Sequence, residues 1–206
     1  MERIILKKLQ VYLILALVFI VLIILGLSIY VSIDEYVATV AGEKITVYEY
    51  KYFLNNWKRE KEKELAQKGI DIENIWEMTA DGVSFAEKAK ENALKEAKKH
   101  KILLIKAKEN EIFLERNELR DLKNDVENKI SSSVYGQYEK LGINEDDFYK
   151  INKNLKIIDK FKRIHNIKEN QIAEWAKDSK FDIKLNEEIY QSIKVTSDHK
   201  NLSNQP

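Results

Sequence analysis

The sequence predicts a mainly α-helical body behind one N-terminal transmembrane helix, with its two ends tied by a small two-stranded sheet. Three observations carry this expectation. Residues 11–33 hold no charge and are almost wholly apolar. The remainder is rich in Lys and Glu, and the whole chain has only six glycines and one proline, Pro206, so few hard breaks interrupt helices. Two short β-leaning segments, at 37–41 and 181–185, flank the helical stretch.

The apolar run comes first. As a helix rising 1.5 Å per residue it reaches roughly 34 Å, enough for a hydrocarbon core of about 30 Å. Arg3, Lys7 and Lys8 precede it against one Glu2, while Asp34 and Glu35 follow. Basic residues stay on the cytoplasmic side, so residues 1–10 are expected inside, 11–33 in the bilayer and the body outside. Tyr12 and Tyr30 lie near the two ends, where amphipathic rings favour the headgroup level. The competing reading is a cleaved signal peptide, whose apolar core runs about 7–15 residues before a small-x-small site. Here the run is longer, and Ser28-Ile29-Tyr30 is a poor site.

Next come the body's elements. Residues 36–46 open with a short β-leaning run and a turn at Gly42-Glu43. Thr46 and Glu49 form a capping box that starts a helix ending at Gly69. Val47, Tyr50, Phe53, Leu54, Trp57 and Leu65 share one face of it, with Tyr48 and Tyr52 on the other. Residues 70–83 read as a connector. Ser84 and Glu87 cap a second long helix, whose alanine-rich stripe (Ala89, Ala93, Ala97, Ala107) allows close approach to a neighbour. It frays at Glu109-Asn110, where Asn suits a left-handed turn.

A third helix is expected from about Leu114 to Lys140, closed by Leu141-Gly142. Asn144 caps a fourth, whose inner face is Phe148, Ile151, Leu155, Ile158 and Phe161. A short helix near 168–177 carries Ile172 and Trp175, and Phe181 to Asn186 alternates like a half-buried strand. A lone strand is unsatisfied, so 37–41 and 181–185 are expected to pair. The tail, 196–206, reads as disordered.

Composition excludes several classes. Beyond residue 10 the chain carries 32 basic and 33 acidic residues, so the body lacks the field of a nucleic-acid binder. The absence of cysteine excludes disulfides, lipoprotein linkage and thiolate chemistry. His100, His165 and His199 stand far apart with no spaced ligand set around them. Glu60-Lys61-Glu62-Lys63-Glu64 is the pattern of a solvated helix face. Asp146 and Asp147 complement a helix dipole, and Ser131-Ser132-Ser133 has no glycine elbow. No catalytic residue, metal or cofactor is expected, and the chain does not read as an enzyme.

The run Val37-Ala-Thr-Val-Ala-Gly-Glu-Lys-Ile-Thr-Val-Tyr-Glu-Tyr50 resembles the opening of extracytoplasmic foldases of the SurA, PrsA and PpiD type. Residues 93–112, the Leu141-Gly142-Ile143 helix end with the following Asn144-Glu-Asp-Asp-Phe148, and the stretch from Trp175 through Phe181-Asp-Ile-Lys-Leu-Asn-Glu187 are similar to later elements of that family. The resemblance covers most of 35–195. It implies a SurA-like N-terminal chaperone domain at 34–195 that binds unfolded or nascent exported polypeptides. The family's parvulin prolyl isomerase domain has no room between Phe161 and Phe181, so isomerase activity is not carried over. Ala41 stands where Asn is expected before the turn glycine.

The expected function is therefore a single-pass, extracytoplasmic holdase whose open cradle is lined by Tyr48, Tyr52, Trp57, Trp76, Met78, Phe85, Tyr135, Tyr138 and Phe148. Such rings offer large apolar area with a polar edge, and Met78 can repack around varied shapes. For each of these residues plain core packing is the competing role. Expected partners are unfolded exported chains and, through 11–33, the lipid bilayer; nucleic acid is not among them, and a homodimer is compatible. The alternative is a structural adaptor that pairs its helices with a fixed envelope partner, which calls for a heptad seam that Gly42, Gly69 and Gly142 interrupt.

Overall fold

The computed structural model describes residues 35–70 and 74–195. The expectations for residues 1–10, 11–33 and 196–206 lie outside the described residues. Among those described, no helix is long and apolar enough to cross a membrane.

The body is mainly helical with a small three-stranded antiparallel sheet. Strands β1 (Tyr36–Val40) and β2 (Glu43–Thr46) form a hairpin over Ala41-Gly42, where φ is 50° and 82°. Two successive positive φ values match the right-handed twist of the flanking strands. Strand β5 (Ile183–Leu185) pairs with β1 through Ala38–Leu185, Thr39–Lys184 and Val40–Ile183. The expected joining of the two ends is thus present, but the sheet has three strands rather than two. Glu43 and Lys44 are exposed on the outer strand, so its charges hid a strand behind a turn signal.

Helix α1 (Val47–Gln67) begins on the expected capping box: Thr46 Oγ1 accepts from Glu49 N at 3.3 Å, and Glu49 Oε2 accepts from Thr46 N at 2.9 Å. Residues 79–84 form a second hairpin, β3 (Thr79–Ala80) and β4 (Val83–Ser84), over Asp81-Gly82. It lies within the stretch read as connector, where Asp-Gly is a hairpin signal. Helix α2 (Phe85–Glu109) lays buried Ala89, Ala93 and Ala97 in the core it shares with α1. Its end falls at Asn110 as expected, but Glu111 takes the left-handed conformation, with φ 55°.

The long third helix is two: α3 (Arg116–Ile130) and α4 (Ser133–Glu139). The Ser131 hydroxyl donates to the Glu127 carbonyl at 2.9 Å, and Ser132 donates to Lys129 at 2.6 Å. Such local bonds compete with the helical ladder. Helix α5 (Glu145–His165) starts where Asn144 Oδ1 accepts from Asp147 N, and short α6 (Glu169–Trp175) follows. A helix absent from the sequence reading, α7 (Glu187–Ser192), comes after β5.

Three apolar clusters hold these elements. The first joins the sheet, α1 and α2 around Val37, Ile45, Tyr50, Trp76 and Phe181. The second gathers α3, α4 and α5 around Leu122, Tyr135, Tyr138, Phe148 and Ile151, with Tyr48 and Tyr52 of α1 packed against it. The third sets Leu103 and Ala107 of α2 against Ile158 and Phe161 of α5 and Ile172 of α6.

Candidate functional site

The nine expected lining residues do not meet in one cradle. Tyr135, Tyr138 and Phe148 are buried together, with ring centroids 5.3 Å (Tyr135–Phe148) and 5.1 Å (Tyr138–Phe148) apart. Tyr52 stacks on Tyr138 at 5.3 Å, and Tyr138 donates to Asn56 Oδ1 at 2.9 Å. Burial, with the neighbouring Tyr52, pushes the Tyr138 hydroxyl up to about 12. Tyr48 packs half-buried at the edge of this cluster, under Lys150 Nζ.

A separate group forms where Trp57 and Trp76 approach to 6.2 Å. Trp76 is buried, and its indole N–H donates to Glu62 at 3.0 Å. A buried Trp with its one donor satisfied is a packing element. Phe85 is half-buried on the first core, and Met78 is 52% exposed, one residue from β3. Thus Trp76, Tyr135, Tyr138 and Phe148 are closed within the body. Only Met78 is exposed, with Tyr48, Tyr52, Trp57 and Phe85 partly so.

The accessible apolar feature lies elsewhere. A cleft of about 390 Å³ opens between α2, the 110–115 loop, the start of α3 and the middle of α5. Its apolar wall includes Leu104, Ile105, Ile112, Phe113, Leu119 and Ile157. Phe113 is 67% exposed, an unusual position for a Phe side chain.

Local structure keeps that ring outward. After Glu111 turns left-handed, Ile112 N donates back to the Ala107 carbonyl at 2.9 Å, closing the helix end. Ile112 and Leu114 face the third and second clusters, which leaves Phe113 between them pointing away. Lys160 of α5 then fastens the loop, donating to the Phe113 carbonyl at 3.0 Å and to Glu118 at 2.6 Å. The Lys160 ammonium holds the Glu118 carboxyl below the usual carboxylate range.

The cleft's polar rim is Lys101, Lys108, Lys153, Asn154 and Glu43. Lys108 Nζ lies 2.8 Å from Glu43 Oε1, and this hydrogen bond chiefly lowers the Glu43 pKa. Lys101 is committed below the surface to Glu49. No group of three His, Cys, Asp or Glu side chains able to hold a metal ion occurs among the described residues. His100 is largely buried against Phe53, at 4.8 Å between centroids, and burial first, then Lys101 and Lys162, lower its pKa to about 4.

None of the nine expected residues lines this cleft. The available signal was Ile112-Phe113-Leu114, an apolar run inside a connection between two polar-faced helices. Its middle residue had no stripe to join. Chemically, the arrangement offers apolar area and lysine ammonium groups, and suits binding. No family model, curated protein or solved structure matches the chain.

Proposed function

We propose that this chain is a membrane-anchored, extracytoplasmic holdase that receives unfolded exported polypeptides on a SurA-like helical body. The observation that carries the reading is Phe113, two-thirds exposed beside an apolar cleft rather than spent on a core. A concave apolar surface of this kind gains area when a non-native chain lays side chains into it. Anchoring through residues 11–33 rests on the uncharged run and its basic flank. Tethering then raises the local concentration of the cleft near emerging chains without tighter contacts. The near balance of 32 basic and 33 acidic residues outside the first ten limits long-range repulsion of clients of either sign.

Placing a photo-crosslinking amino acid at position 113 in cells tests this. A holdase yields adducts with many exported polypeptides. A single discrete adduct would favour a fixed-partner adaptor, and adducts confined to cytoplasmic proteins would contradict the assigned side of the membrane.

A further inference from the structure

Around the cleft, three lysines face one carboxylate: Lys101, Lys108 and Lys153 against Glu43. Lys101 is already neutralised by Glu49, at 2.9 and 3.0 Å, in a pair nearly closed to solvent. Lys108 and Glu43 pair at 2.8 Å with side chains 69% and 46% exposed. A surface pair so open to water is weak and exchanges partners readily. Lys153 is exposed and has no ion-pair partner among the described residues. Beside the apolar wall there is therefore one idle ammonium and one loosely held, on a body whose total charge is close to zero.

We propose that this cleft selects, within unfolded polypeptides, apolar segments that carry an acidic side chain. The inference rests on the holdase reading and specifies its client. The apolar side chains lie against Ile105, Phe113 and Ile157, while the carboxylate bridges toward Lys153 and takes Lys108 from Glu43. Charge complementarity argues for this occupant: a basic flank would meet both lysines, and a neutral one would leave Lys153 unanswered. A surface pair of this type adds selectivity without much affinity, as suits a protein that must release its clients.

The test is isothermal titration of the full chain, in lipid nanodiscs, with three short peptides. They share one apolar core and differ only in flanks of Glu, Gln or Lys. The expected order of affinity is Glu, then Gln, then Lys, with Glu over Gln by about 1.5–5-fold. The gap should narrow at high ionic strength. Replacing both Lys108→Gln and Lys153→Gln should bring the three affinities together and so abolish the ranking. Both positions are exposed, so folding is not at issue. Equal affinity for the three peptides overturns the client preference and leaves the holdase reading standing. No binding by any peptide overturns both. A ranking that survives the double substitution, or a dimer of the chain that disperses on Lys153→Glu, assigns the cleft differently and overturns the inference.

Discussion

Lys101 Nζ sits 2.9 Å from Glu49 Oε1 and 3.0 Å from Oε2, joining the middle of α2 to the first turn of α1. The same carboxylate closes the capping box on Thr46. One buried anion therefore sets where α1 begins and where α2 lies against it. Breaking a buried pair leaves the surviving charge uncompensated, which costs more than the pair itself gains. Lys101→Met should lower the unfolding free energy by about 3–5 kcal/mol in urea titrations. A loss below about 1 kcal/mol would contradict the structural weight given to this pair.

His100 is the neighbouring test. Its folded pKa, about 4, lies below the ordinary value of 6.5. A depressed folded value means that the unfolded chain binds the proton first as pH falls. The stability due to neutral His100 is fully present above about 6.5 and is lost as pH drops toward 4. Carboxylates titrate over part of the same range, so the comparison must be with His100→Gln. The difference in unfolding free energy between the two proteins should change between pH 7 and pH 4 and stay flat above 7. A constant difference throughout would show that burial does not hold this ring neutral.

At the β1–β2 turn, Ala41 adopts φ 50° ahead of Gly42 at 82°. A left-handed alanine is strained by its Cβ, and Asn or Gly relieves that strain. Ala41→Asn should stabilise the protein by about 0.5–1 kcal/mol, seen as a higher melting temperature. An unchanged or lowered melting temperature would mean that the turn tolerates alanine without cost.

Ala41 also shows where the sequence was readable. Both capping boxes, the alanine stripe and the pairing of 37–41 with 181–185 follow from local chemistry and from the need of a strand for a partner. Strand β2 and the break at Ser131-Ser132 were hidden because charge on an outer strand and serine back-bonding override periodicity. The site was least legible. Aromatic spacing on a helix cannot tell whether a neighbour will cover it: Tyr138 of α4 stacks on Tyr52, and Phe148 of α5 packs on Tyr138. Phe113 becomes conspicuous only once Lys160 and the turned end of α2 are known to hold its loop.

The Tyr138 hydroxyl donates to Asn56 across the α1–α4 contact. Tyr138→Phe removes that bond and keeps the ring against Phe148, so a loss of about 0.5–1.5 kcal/mol is expected from thermal unfolding. Client capture should be unchanged, because the residue lies in the closed second cluster rather than at the cleft. Impaired capture by a folded Tyr138→Phe protein would place binding at the aromatic cluster after all.

The most direct measurement is light scattering of an aggregating, unfolded test protein in the presence of the full-length chain or its Phe113→Ser variant. Phe113 is 67% exposed, so the substitution should leave the melting temperature nearly unchanged. The natural chain should suppress scattering at stoichiometric amounts, and Phe113→Ser should lose most of that effect. Equal scattering with and without the natural chain would contradict the holdase reading, and full suppression by the variant would contradict the cleft as its seat.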